Sequence, residues 1–178
     1  NGDLYGCGNN INYKLGIDSE KNVNLFTKIE IPQDLKGHIT DICGNGNHTI
    51  IKTDNNKIYG CGDNQFGQLG LSEDIKFVKE IVELPLLSDF ACEIGAGIDY
   101  TVCISKNAVI GFCGHNDKIQ SGRKDLPEFN YKIEIIDNLF SKEELKELNN
   151  IGIKELEEGN KFRLFVGDYH YGIGEKFS

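Results

Sequence analysis

The chain has 178 residues, 39% hydrophobic and 26% charged, with 19 Lys and Arg against 28 Asp and Glu for a net charge of −9. That acidity opposes non-specific attraction to nucleic acid, which depends on Lys and Arg displacing counterions, so direct nucleic-acid binding by this segment is not expected. No run approaches the roughly 20 apolar residues needed to cross a bilayer, and neither membrane association nor a secretory signal is expected.

Read in order, the chain repeats itself. Tyr5-Gly6-Cys7-Gly8 returns as Tyr59-Gly60-Cys61-Gly62, then as Gly111-Phe112-Cys113-Gly114, and near the end as Tyr171-Gly172-Ile173-Gly174. Between these marks lies a second block: Asp41-Ile42-Cys43-Gly44-Asn45-Gly46, then Cys92-Glu93-Ile94-Gly95-Ala96-Gly97, then Ile153-Lys154-Glu155-Leu156-Glu157-Glu158-Gly159. The interval is 54 residues from Tyr5 to Tyr59 and 52 from Gly62 to Gly114. Short apolar runs with glycine punctuation at such a period point to propeller blades rather than helical solenoids. The runs at residues 56–62 and 99–104 are brief, rich in β-branched and aromatic residues, and read as strands. Asp54-Asn55-Asn56-Lys57 between two such runs predicts a tight hairpin, because Asn and Asp tolerate turn geometry. The repeats divide at about 1–54, 55–106 and 107–168, with the start of a further one at 169–178.

The third repeat is irregular. Gly97 to Gly159 spans 62 residues against 51 from Gly46 to Gly97, an insertion of about eleven. The inserted stretch, about 138–150, carries a helix start: Ser141 as cap, Glu144 completing the capping box, and Phe140 and Leu145 at the staple positions. Leu145 and Leu148 share one face of that helix, which reads either as a docking element or as a loop elaboration.

Other chemistries find little support. No Cys-x-x-Cys pair exists, and His38, His48, His115 and His170 lack a second ligand at a suitable spacing, so no metal is expected. The glycine pairs Gly60/Gly62 and Gly95/Gly97 do not open helices, so no nucleotide cofactor is expected either. Cys7, Cys61 and Cys113 recur at one strand position, where each serves as a small buried hydrophobe, and the six cysteines are expected as free thiols in a reducing compartment.

Two stretches carry a family resemblance: Asn1 to Gly8 followed by Leu15-Gly16, and Lys57-Ile58-Tyr59-Gly60-Cys61-Gly62-Asp63-Asn64-Gln65-Phe66-Gly67-Gln68-Leu69-Gly70. They resemble the repeat of the regulator of chromosome condensation family, as do Gly46-Asn47-His48-Thr49 and Gly97-Ile98-Asp99-Tyr100-Thr101. The family usually places Trp where Cys7, Cys61 and Cys113 stand, and this chain has no Trp, which makes it a divergent member. The resemblance implies an all-β propeller of about seven four-stranded blades. It also places His48 inside a blade, where its ring nitrogens can satisfy neighbouring backbone groups. This chain supplies about three, and missing blades are expected to complete the ring.

What the resemblance implies about function is a non-catalytic protein-interaction propeller, inside the cell in nucleus or cytoplasm. Its partner would be a protein, a small GTPase of the Ran-like kind, with guanine-nucleotide exchange achieved by binding and without bond chemistry or a cofactor. The alternative is a recognition or structural propeller of a larger protein, such as a ubiquitin ligase or an assembly scaffold. Family exchange factors contact the GTPase through acidic loops at one propeller face. Matching motifs nominate Asp63 and Asp117, expected in exposed loops after strands, and Asp3 and Asp54 in turns. Each also reads as a turn-forming Asp.

Overall fold

The computed structural model describes residues 2–91, 93–105, 109–136, 164–166 and 171–173, the last two stretches as strands alone. The insertion at 138–150, with Leu145 and Leu148, lies outside the described residues.

The first sheet pairs β1 (Leu4–Gly8) with β2 (Val23–Ile29). The second is a four-stranded antiparallel meander of β3 (Ile39–Asn45), β4 (His48–Thr53), β5 (Ile58–Asp63) and β6 (Phe77–Glu83). A short helix, α1 (Pro85–Phe90), leads into the third sheet: β7 (Glu93–Ala96), β8 (Tyr100–Ile104), β9 (Ile110–His115) and β10 (Phe129–Ile136). β11 (Leu164–Val166) and β12 (Tyr171–Ile173) form a further antiparallel pair. These sheets are the blades of a partial propeller. Each four-stranded blade joins the last two strands of one sequence repeat to the first two of the next, so neighbouring repeats interlock through backbone hydrogen bonds.

The core lies in the seams between blades. Along β4 and β5 the side-chain period of two sends Ile50 and Ile58 to one side of the sheet and Ile51, Tyr59 and Cys61 to the other. The second group meets Ile29 and Leu35 from the first blade; the first group meets Cys103 and Cys113 from the third. Both faces of the second blade are therefore apolar, and β5 is buried along its whole length. Helix α1 was not foreseen in the sequence. Pro85 stands in its first turn, where the missing N–H costs nothing, and Leu87 packs into the seam with Leu84 and Ala91.

The predicted hairpin forms. Thr53 donates its N–H to the Lys57 carbonyl at 3.0 Å, and Asn56 takes the left-handed conformation at φ +62. Cys61 and Cys113 are buried as expected, and burial pushes both thiols up, that of Cys61 to about 12. Cys7 is not: it is exposed. Cys61 and Cys113 stand in four-stranded sheets, whereas among the described residues β1 pairs with β2 alone.

Candidate protein-docking face

Antiparallel meanders send alternate connections to opposite ends of the blades. One end, termed the upper face, gathers the β1–β2, β3–β4, β5–β6, β7–β8 and β9–β10 connections. The other gathers the β2–β3, β4–β5, β6–β7 and β8–β9 connections.

Three upper loops share one construction. Each follows a glycine at the end of a strand, of which Gly62 and Gly114 have φ +102 and +110. A Cβ at Gly62 would collide with the Asn47 carbonyl and one at Gly114 with that of Asp99, so only glycine fits. Two residues on stands a buried asparagine: Asn10, Asn64 and Asn116. Its side-chain oxygen accepts the N–H five residues later, from Leu15 at 2.8 Å, Leu69 at 3.0 Å and Ser121 at 3.0 Å. Its amide donates back to loop carbonyls, those of Ile17, Ile75 and Arg123. One side chain thus closes a loop of about a dozen residues and supplies its buried polar groups.

The loops are also tied across the seams. Thr49 donates its hydroxyl to the Lys14 carbonyl at 2.8 Å, and Thr101 to the Gln68 carbonyl at 2.6 Å. Cys61 and Cys113 lie against the same two carbonyls, at 3.4 and 3.7 Å. His48 Nε2 lies 3.1 Å from the Thr101 hydroxyl, which is already spent on Gln68, so His48 carries its proton on Nε2 and donates. The ring therefore serves a side chain of the next blade, not the backbone groups expected from the sequence. Burial lowers its pKa to about 4 and keeps it neutral.

The four nominated carboxylates do not form one site. Asp63 and Asp117 lie at the upper face; Asp3 and Asp54 lie at the opposite one. Asp63 is 3% exposed, which corrects the expectation of an open loop residue. It accepts from Asn12 Nδ2 at 2.9 Å across the seam and from the Gln65 N–H at 2.8 Å. Its charge is consumed in holding two loops together. Asp117 is exposed, and Lys118, Gln120 and His115 hold its carboxyl down at about 2. Asp3 is bridged by Lys36 and Lys28, each at 3.1 Å, and they keep it below the usual carboxylate range. Asp54 pairs with His38 at 3.1 Å.

Sequence reasoning missed the aromatic seam beside Asp117. Phe66 from the second blade stacks on His115 of the third at 4.5 Å between centroids, and Phe129 joins both at 5.2 and 5.5 Å. It also missed Lys14, whose ammonium reaches the next blade, 3.2 Å from the Gly46 carbonyl and 3.1 Å from Asn47 Oδ1. The asparagine spacing Gly8-x-Asn10, Gly62-x-Asn64 and Gly114-x-Asn116 was the available signal for these loops. Among the described residues no group of three or more His, Cys, Asp and Glu is placed to hold a metal ion.

The regulator of chromosome condensation (RCC1) repeat profile matches residues 1–51, and a second profile of that repeat matches residues 39–68. Residues 1–68 carry RCC1 repeats, and the chain is similar to RCC1-repeat proteins. It is 28% identical over 188 aligned residues to the guanine nucleotide exchange factor SRM1 of Saccharomyces cerevisiae, covering 99% of this chain and 39% of that protein. It is also 28% identical over 118 residues to the secretion-regulating guanine nucleotide exchange factor of Mus musculus, covering 64% of this chain and 24% of that protein. The chain thus spans well under half the length of these relatives. Among solved structures, Prp20p of Saccharomyces cerevisiae, described with its binding to Gsp1p and histones, superposes with a TM-score of 0.66 at 14% identity. That match covers 88% of this chain and 43% of Prp20p, and supports the propeller fold. No helix among the described residues is long and apolar enough to cross a membrane.

Proposed function

We propose that this RCC1-repeat chain is part of a propeller that regulates a small GTPase of the Ran-like kind by promoting guanine-nucleotide exchange. The observation that carries the reading is the likeness, along 99% of the chain, to a yeast protein named as a guanine nucleotide exchange factor. Exchange requires no bond chemistry. A protein that binds the nucleotide-free GTPase more tightly than the loaded form shifts the equilibrium toward release, by no more than that difference in affinity. A rigid upper face, cross-tied by Asn12–Asp63 and Phe66–His115, suits this task, because ordering costs are met before the partner arrives. Asp117 is the nominated carboxylate available for contact there, while Asp63 acts by holding the loop that presents the surface.

The test is release of a fluorescent guanine nucleotide from purified Ran-like and other small GTPases, with the complete propeller added. Accelerated release that is slowed by salt supports the reading. An unaltered release rate across the whole panel overturns it in favour of a recognition or scaffolding propeller. In a responsive GTPase, Asp117→Ala should slow exchange with the fold intact, whereas Asp63→Ala should first lower stability.

A further inference from the structure

Residues 14, 68 and 120 occupy the same place in the three upper loops, but only the first carries a charge. Gln68 and Gln120 fold into their own loops, accepting the N–H groups of Phe66 and Lys118, each at 3.0 Å. Lys has no acceptor and cannot do this. Lys14 instead extends across the seam to the β3–β4 turn, where its two contacts are both neutral oxygens. No carboxylate lies within ion-pair distance of it among the described residues, although the chain as a whole is at −9. The neighbouring carboxylate, Asp63, is buried and taken by Asn12 and Gln65. An ammonium has three donors, and two are used.

The surroundings match a docking point. Gly46 lies against the backbone of Ile98, so Lys14, Gly46 and Ile98 are contiguous at the inner end of the upper face. Ile98 is 49% exposed, and Ile11, one turn before Lys14, is 47% exposed. Of the two residues between them, Tyr13 at φ +63 shares its left-handed backbone with Gly67 and Ile119 of the sister loops, whereas Asn12 at φ +55 has no left-handed counterpart there. A left-handed non-glycine residue is strained, and such residues cluster where a surface is held for use.

We propose that Lys14, with Ile98 and Ile11 beside it, is the docking point for an acidic, aliphatic segment of a protein partner. A partner carboxylate takes the third ammonium hydrogen, and an aliphatic neighbour covers the exposed isoleucines. This rests on the reading that the upper face is the partner face, and it reverses the expected polarity at this point: the chain supplies the cation.

The test titrates the 15N-labelled chain with two acetylated, amidated pentapeptides, one alternating leucine with glutamate and one alternating leucine with lysine. The glutamate peptide should shift the amides of Gly46, Asn47 and Ile98, and salt should weaken it. Lys14→Gln, which installs the residue of the sister loops, should weaken binding about tenfold without altering the remaining spectrum. Equal shifts by the lysine peptide, no shifts at these three amides, or undiminished binding by Lys14→Gln would each overturn the proposal. In the exchange assay Lys14→Gln should slow a responsive GTPase about tenfold. Peptide binding at Lys14 by a propeller that accelerates no GTPase would remove the exchange reading alone.

Discussion

Thr101 donates its hydroxyl to the backbone carbonyl of Gln68 at 2.6 Å, across the seam between the second and third blades. Thr49 makes the same bond to Lys14 one seam earlier. Thr101 is fully buried and also receives the His48 N–H, so its removal strands one donor and one acceptor together. Thr101→Val keeps the shape and should cost roughly 2–3 kcal/mol, while Thr49→Val, at a partly solvated seam, should cost about 1 kcal/mol. Urea denaturation of both, with Thr101→Ser recovering part of the loss, checks this ordering. Equal small losses would mean that the seams are held by apolar packing alone.

His48 makes the fold acid-sensitive. Its folded pKa is about 4, against 6.5 for the unprotected ring, because burial disfavours the imidazolium. Between these values the unfolded chain binds the extra proton, so stability is fully present above about pH 6.5 and falls as the pH drops toward 4. The loss is on the order of 3 kcal/mol over that window. His48→Gln should be less stable at pH 7 but lose less between pH 7 and 4, measured by thermal or urea unfolding at each pH.

The cysteines give a map of the seams. Cys61 and Cys113 should react slowly with a thiol reagent in the native chain, since burial raises both thiols and blocks access. Cys7, exposed on β1, should react much faster than either. Mass spectrometry after timed quenching separates the sites, and fast labelling of Cys61 would contradict the first seam.

The repeat was legible because strand registers recur: Thr49 faces Cys61 and Thr101 faces Cys113 in corresponding pairs. The Asp54–Lys57 hairpin was legible because its geometry is local. Asp63 was misjudged for the opposite reason. Its burial comes from Asn12, 51 residues away, and no pattern around Asp63 announces that partner. The same holds for Phe66 on His115 and for Lys14 on Gly46. Contacts across a seam depend on how blades are seated, whereas period and punctuation describe one blade at a time.

Ile119 provides a test of the loop construction itself. It occupies the position of Gly67 and is held at φ +62, a conformation in which a β-branched residue crowds its own backbone. In ordinary helix or strand positions alanine is more stable than glycine by roughly 0.5–1 kcal/mol, because glycine loses more freedom on folding. Here the order should invert. Ile119→Gly removes the strain and should be more stable than Ile119→Ala by about 1 kcal/mol, since alanine keeps the offending Cβ and loses the packing. Gly67→Ala should be worse than either, because the added Cβ would collide with the Asn130 backbone of the next blade. Unfolding midpoints for the three variants decide the matter: if Ile119→Ala equals or exceeds Ile119→Gly, the left-handed geometry at residue 119 is not what holds this loop.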